Sequence, residues 1–269
     1  MDLYLDHIVH YVKDPEFVRK SFSERGFTTV KGGRHINWGT YNSLCYFSNE
    51  CYLEWIGIDN IEVARKSDNL LIQQVFDDSK VGEGFTQLAL RTNNIEGLAN
   101  RLKENGHEVI GPVPGSRRRE DGSFLDWSML FISQGHEECR LPFFIQWGEE
   151  EELRREQFKP LTEHKVGNAQ ISAIYFAVTN SKSSADMWLS IFGSTKKEPF
   201  EEKKWNAQGY RVQVGGIEVF FCEPAGNGLV KQELIRRGER PFMCKIIDAS
   251  FNGVYEYFGG RYCFNSIKN

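Results

Sequence analysis

The 269-residue chain carries 33 Lys and Arg against 37 Asp and Glu, a formal charge of -4, with 40% hydrophobic and 13% aromatic residues. That balance can fill a sizeable core and gives no overall basic field for a phosphate backbone, which argues against nucleic acid as a partner. No apolar run reaches membrane-spanning length, and Met1 to His7 runs into a strand pattern without a basic segment or an apolar leader, so the expectation is a cytoplasmic protein with no membrane partner.

Leu5 to Val12 alternates as a half-buried strand should, with Leu5, His7, Val9 and Tyr11 on one face and Asp6, Ile8, His10 and Val12 on the other. Asp14-Pro15-Glu16 starts a helix with a cap and a first-turn proline, Phe17, Val18 and Phe22 give it an apolar stripe, and Gly26 stops it. A further strand has room near Thr28 to Lys31. The Gly32-Gly33-Arg34-His35 turn and Gly39-Thr40 then lead into strands at Ser43 to Phe47 and Cys51 to Ile58. The unit reads β-α-β-β, or βαβββ with the extra strand.

After a polar, helical stretch from Ile61 to Lys80 the plan repeats. Phe85 to Arg91 is a strand, Asn94 caps a helix with Ile95, Leu98 and Leu102 on one side, and Gly106 ends it. Val109-Ile110, a loop at Arg117-Arg118-Arg119-Glu120-Asp121-Gly122, a strand near Trp127 to Ile132 and a strand from Leu141 to Trp147 follow. Glu149 to Gln157 reads as a charged linker or surface helix with too few apolar residues to bury a face.

A third unit opens at Ile171 to Val178, continues in a helix carrying Ala185, Trp188, Leu189 and Phe192 before Gly193, and closes on a strand at Ile217 to Cys222. A shortened fourth echo runs through Phe242 to Phe258 with a strand, Met243 to Ile247, and one helix. The expected division is residues 1–150, a linker helix at 151–168 and a degenerate pair of units at 169–269.

The step from His7 to Gly26 equals that from Gln87 to Gly106, 19 positions in each case, so opening strand and first helix form one unit used again. The repeat aligns His7 with Gln87, sets Ala173 at the same place in the third unit, and pairs Glu54 in Tyr52-Leu53-Glu54-Trp55 with Gln146 in Phe144-Ile145-Gln146-Trp147. A lone histidine in an alternating strand is more often a hydrogen-bonded core residue than a ligand, and His10 is read that way. Glu54 is the sharper signal, because a carboxylate in an apolar strand is costly to bury without a partner. The six cysteines have no metal-ligand spacing and read as reduced core residues. Trp55 and Trp147, adjacent to the aligned positions, are expected to face away into core packing. No GxGxxG before a helix, GxxxxGK[ST], GxSxG or HExxH occurs, which sets aside nucleotide cofactors and serine-nucleophile hydrolysis.

Leu5-Asp6-His7-Ile8-Val9, Gly32-Gly33-Arg34-His35 with Trp38-Gly39-Thr40-Tyr41-Asn42, Tyr52-Leu53-Glu54-Trp55-Ile56 and Leu141 to Trp147 together resemble the glyoxalase-like domain proteins of bacteria. These belong to the vicinal oxygen chelate superfamily, with glyoxalase I, extradiol dioxygenases, fosfomycin-resistance enzymes and bleomycin-binding proteins. The resemblance covers roughly residues 3 to 148 and more weakly 170 to 224. It implies an α+β fold of paired βαβββ modules whose mixed sheets curl into a cup, and a divalent ion (Zn, Ni, Mn or Fe) held by His7, Glu54, Gln87 and Gln146. Two of these are neutral amides, a departure that weakens the set. On this reading Glu54 and His35 are the catalytic groups, and Arg34, Trp38, Asn42 and Arg118 bind a small oxygen-bearing substrate. The implied function is a metal-dependent lyase, isomerase or dioxygenase, with a metal-free small-molecule binding protein as the alternative. The resemblance also leaves room for a homodimer whose partner subunit completes the site.

Overall fold

The structure is a computed structural model that describes residues 3–118, 124–133 and 139–266, apart from the side chain of Arg118. The first unit comprises β1 (Tyr4–Tyr11), α1 (Pro15–Glu24), β2 (Val30–His35), β3 (Thr40–Tyr46) and β4 (Tyr52–Ile58), followed by α2 (Ile61–Arg65) and α3 (Leu70–Val81). The second comprises β5 (Gly84–Arg91), α4 (Ile95–Glu104), β6 (Val109–Arg118), β7 (Phe124–Ile132) and β8 (Phe143–Trp147), and α5 (Glu151–Phe158) leads out of it. The third holds β9 (Gln170–Ala177), α6 (Ser181–Phe192), β10 (Glu198–Glu202), β11 (Ala207–Val214) and β12 (Ile217–Pro224). The last holds α7 (Leu229–Arg237), β13 (Arg240–Ile247), β14 (Gly253–Tyr257) and β15 (Gly260–Asn265). Its helix thus precedes the strand instead of following it.

The caps act as the sequence implies. Asp14 accepts from the Glu16 and Phe17 amides, and Asn94 accepts from Gly97, so each first helix starts where its opening strand has just ended. Val18 and Phe22 bury, whereas Phe17, expected on the same stripe, is 58% exposed and meets only the edge of Phe258.

Two mixed sheets result, ordered β2-β3-β4-β1-β5-β8-β7-β6 and β10-β11-β12-β9-β13-β15-β14. The fold is α+β, built from repeated βαβββ modules. In the first sheet the edge strands β2 and β6 come back into contact and curl it into a cup. The concave face holds Val9, Tyr11, Ile56, Ala89, Leu125, Trp127, Met129, Phe143 and Ile145, and α2 and α3 close one end with Ala64, Leu71, Ile72 and Val75. The convex face carries Ile8, Trp55, Leu88 and Phe144 into a core that also takes Phe22 from α1, Leu98 from α4 and Ile174, Phe176 and Tyr262 from the second sheet. One apolar cluster therefore runs through both halves of the chain.

Register corrects two alignments. Between β1 and β5, Leu5 pairs with Leu90 and His7 with Ala89, so Asp6 is an extra residue in a bulge. The bulge sends Leu5 into the shared core and leaves Asp6 beside His7, reversing the strict alternation expected there. Val9 pairs with Glu54 in the first unit and Ala89 with Phe143 in the second, while Val9 faces Gln87 across the seam. His7 and Gln87 are thus equivalent, as expected, but Phe143, not Gln146, stands at the place of Glu54.

In the second sheet Ala173 takes the place of His7, with Ser172 at the bulge, and Phe220 takes that of Glu54, stacked on Tyr175 at 4.5 Å. Aromatic packing thus fills the second cup where the first holds polar groups.

Candidate active site

His7, on the concave face of β1, is 3% exposed and stacks on Tyr52 of β4 at 4.6 Å between centroids. The bulge brings Asp6 Oδ1 to 2.6 Å from His7 Nδ1, and the Trp147 indole donates to the other Asp6 oxygen at 2.9 Å. Burial pushes the Asp6 carboxyl up. The His7 hydrogen bond, with the charges of Arg154, His7 and Arg91, outweighs that effect and holds it well below the usual range. An ionised Asp6 accepts only, so Nδ1 carries the imidazole hydrogen and Nε2 points at Glu54, whose Oε2 lies 3.6 Å away. Glu54 is 7% exposed, and its Oε1 accepts from the Asn42 side-chain amide of β3.

Among the described residues Asn42 Oδ1 has no partner, and neither has Nη1 of Arg117, which reaches in from β6. They lie 2.0 Å and 3.2 Å from the point where Gly32 would carry a Cβ. Gly32 and Gly33 therefore belong to strand β2, not to the expected turn, and their missing side chains make the room that Arg117 occupies. Likewise Arg117 and Arg118 lie in β6, not in the expected loop.

His35, the last residue of β2, is buried, with Nδ1 3.1 Å from the Thr40 hydroxyl. Burial lowers its pKa to about 4; Arg117 adds to that, while Glu54 and Asp59 oppose it. The ring is therefore neutral near pH 7 and lies 5.5 Å from Trp38 and 6.2 Å from Trp127.

The inner cavity is about 50 Å³, walled by His7, His35, Asn42, Glu54 and Arg117, with Phe158 and Arg154 at its α5 end. That is room for about three waters or a fragment of a few atoms. His35, Trp38, Arg117, Trp127 and Trp147 also border an outer depression of about 860 Å³, so the two spaces meet at an aromatic collar. Helix α5, expected to lie on the surface, closes the end away from α3. Arg154 lies 4.0 Å from the Trp147 ring and 3.8 Å from Asp6, and Phe158 stacks on Tyr46 at 4.4 Å.

Of the four expected ion ligands, the structure brings two together. Gln87 faces the cup, but its Oε1 accepts from the Leu88 amide and its Nε2 lies 3.3 Å from the Gln74 amide on α3. Gln146 lies on the opposite face of β8, where Oε1 caps α4 through the Ile95 amide at 2.7 Å. Trp147, expected in core packing, instead borders the cup. Among the described residues no group of three or more His, Cys, Asp or Glu is placed to hold an ion. Arg34 pairs with Asp59 over Tyr41 and borders only the outer depression. The Arg118 side chain lies outside the described residues. Asp6 and Arg154 carry no signal in the sequence pattern, and Arg117 stands in it only as part of the basic run with Arg118, which can clamp a carboxylate or phosphate or lie solvated in a loop. No periodic pattern marks a bulge or a side chain reaching across a barrel seam.

The expected buried cysteines are unpaired, and five of the six are buried. Among the described residues no helix is long and apolar enough to cross a membrane.

Comparison with known proteins extends over the whole chain. A hypothetical protein from Staphylococcus aureus matches 98% of this chain and 100% of its own at 24% identity, with a TM-score of 0.79. A mutant of 4-hydroxymandelate synthase from Streptomyces coelicolor matches 94% of this chain and 72% of its own at 13% identity, with a TM-score of 0.59. At these identities the likeness is one of fold. Among curated proteins none matches at a significant level. The model of the glyoxalase-like domain family matches residues 5–192, spanning both modules of the cup, and the chain therefore belongs to the glyoxalase-like domain family of the vicinal oxygen chelate superfamily.

Proposed function

We propose that the cup is the active site of an isomerase-type enzyme that moves a proton on a small hydroxyaldehyde or hydroxyketone. One observation carries this reading: His7 Nε2 and Glu54 Oε2 face each other 3.6 Å apart in a buried site, where a shared proton, a substrate hydroxyl or a cation can bridge them. Asp6 fixes the imidazole tautomer from behind and stabilises positive charge on the ring. Glu54, steadied by Asn42, is placed to take a proton from the carbon next to a carbonyl. The C–H pair becomes the C=C bond of an enediolate as the carbonyl π pair moves onto oxygen; His7 Nε2 takes the hydroxyl proton and hands it to that oxygen, and Glu54 returns its proton to the former carbonyl carbon. Arg117 supplies an unpaired donor for the developing oxyanion, and Asn42 Oδ1 an unpaired acceptor for the adjacent hydroxyl. Neutral His35 and the indoles of Trp38 and Trp127 narrow the entrance and exclude water from the enediolate.

The test is exchange of carbon-bound hydrogen in D2O, followed by NMR, over hydroxyacetone, dihydroxyacetone and glyceraldehyde. The wild-type protein exchanges at least one of them, and Glu54→Gln slows exchange by about 100-fold or more, the usual scale for a lost general base. Saturable binding of these compounds without exchange would overturn the enzyme reading in favour of a binding protein.

A second reading, a divalent ion in the same gap, is favoured by the Asp6 carboxylate behind the His7 ring, since metal-bound imidazoles are commonly backed in this way. The two-donor shell argues for proton transfer.

A further inference from the structure

A second polar centre lies where the two halves of the chain meet, outside the cup. Asp78 of α3, 1% exposed, accepts from both terminal nitrogens of Arg140 and from Nη1 of Arg240, all at 2.6 Å. Two guanidinium groups therefore already share one carboxylate. Arg237, at the end of α7 and 3% exposed, is a third. Its Nη1 donates to the Phe85 carbonyl at 3.2 Å, while its Nε and Nη2, and the Nε of Arg240, have no partner among the described residues.

Among the described residues, the nearby carboxylates have other partners. Glu233 takes Arg236 and Arg261, Glu239 takes the amide and hydroxyl of Thr179, and Glu83 takes the Lys13 amide. Gly84 leaves room for the Arg237 guanidinium, because a Cβ there would stand 1.9 Å from Nη1. Burial lowers the Arg237 pKa to about 9, with further lowering by Arg240, Arg140 and Arg236 against the opposing charge of Asp78. Buried donors of like charge left unpaired are costly, and a counter-charge that meets several at once removes most of that cost.

We propose that Arg237 and Arg240 form a site for a small inorganic anion, a phosphate or a halide, which clamps the two halves of the chain together. Arg140 and Arg240 are each slightly exposed, at 14% and 12% of the side chain, which gives an ion a way in. The site does not depend on the chemistry of the cup.

The experiment is thermal unfolding of the full chain at pH 7 and constant ionic strength, replacing sodium gluconate by sodium phosphate in one series and by sodium chloride in another. The wild type shows a rise in Tm that grows with the logarithm of anion concentration and reaches about 5 °C once the anion is about 100-fold above its dissociation constant, and the responding series identifies the ion. Arg237→Gln loses that rise and, having shed an unpaired charge, is at least as stable as wild type in gluconate. No such logarithmic rise in either series, or an equal rise in Arg237→Gln, overturns the proposal. Should the variant fail to fold, wild-type crystals soaked in bromide decide: an anomalous peak against Arg237 Nε and Nη2 supports the site, and water alone there overturns it.

Discussion

Residue by residue, the cup is organised around two groups, His7 and Glu54, that a proton, a substrate hydroxyl or a cation can bridge. Sequence pattern found His7 and Glu54 because both break an apolar alternation in which a polar group requires a reason. It could not find Asp6, whose place beside His7 depends on a one-residue bulge in β1, and it aligned Glu54 with Gln146 because matching tryptophans made an attractive but wrong anchor. Strand pairing, not similarity of neighbours, sets equivalence. Arg117 was hidden in a basic run that reads as a solvated loop until β2 and β6 close on one another across two glycines. Gly32 gives a sharp test of this arrangement. In Gly32→Ala the new Cβ would stand 2.0 Å from Asn42 Oδ1, so Asn42 must turn away from Glu54. Exchange is expected to fall about tenfold or more, in line with losing a hydrogen bond to a charged group worth about 1.5–3 kcal/mol. An unchanged rate would remove Asn42 from the site.

Among the elements, helix α5 departs most from expectation. Its composition is that of a solvated helix, and six of its eight residues are exposed. Two side chains dock it nonetheless: Arg154 lays its guanidinium on Trp147 and Phe158 covers Tyr46. An arginine stem and plane can bury as apolar surface, which a count of apolar residues does not register. Docked at two points, α5 is expected to detach from the cup before the first sheet opens. Phe158→Ala is expected to cost about 1–2 kcal/mol, less than a fully buried phenylalanine because the ring is only half-buried, and to speed hydrogen exchange of the α5 amides selectively. Uniform loss of protection across the first sheet would instead make α5 part of the global folding unit. Strands were easier to read where alternation was strong: β1, β5 and β9 were recognised closely, whereas glycine-rich β2 and the charged β10 carry little periodic signal.

Across the whole molecule, the shared core and a buried histidine join the halves. His10 Nδ1 lies 2.6 Å from the Tyr262 hydroxyl, and Nε2 donates to the Phe258 carbonyl at 2.8 Å, with both partners in the last unit. Burial lowers the His10 pKa from 6.5 to about 3, with the Phe258 carbonyl opposing and the Arg237 charge adding to the effect. For a base whose folded pKa is depressed, the unfolded chain takes up the proton first. Stability is therefore intact above pH 6.5 and declines as pH falls from there towards 3, by up to about 1.4 kcal/mol per pH unit. His35 acts in the same direction over the shorter span from 6.5 to about 4. Between pH 6.5 and 3 the Tm of the wild type should thus fall more steeply than that of His10→Gln. Parallel profiles would show that His10 does not hold the seam. The repeat made the architecture readable, but not this seam, because partners 248 and 252 positions away leave no local trace.

His7 and Glu54 are placed to transfer protons to and from a substrate without a resident ion between them. Elemental analysis of protein purified without added metal or a nickel affinity step, beside a His7→Ala, Glu54→Ala double variant, tests this directly. The account predicts no stoichiometric divalent metal in either protein; about one ion per wild-type chain, absent from the variant, would contradict it.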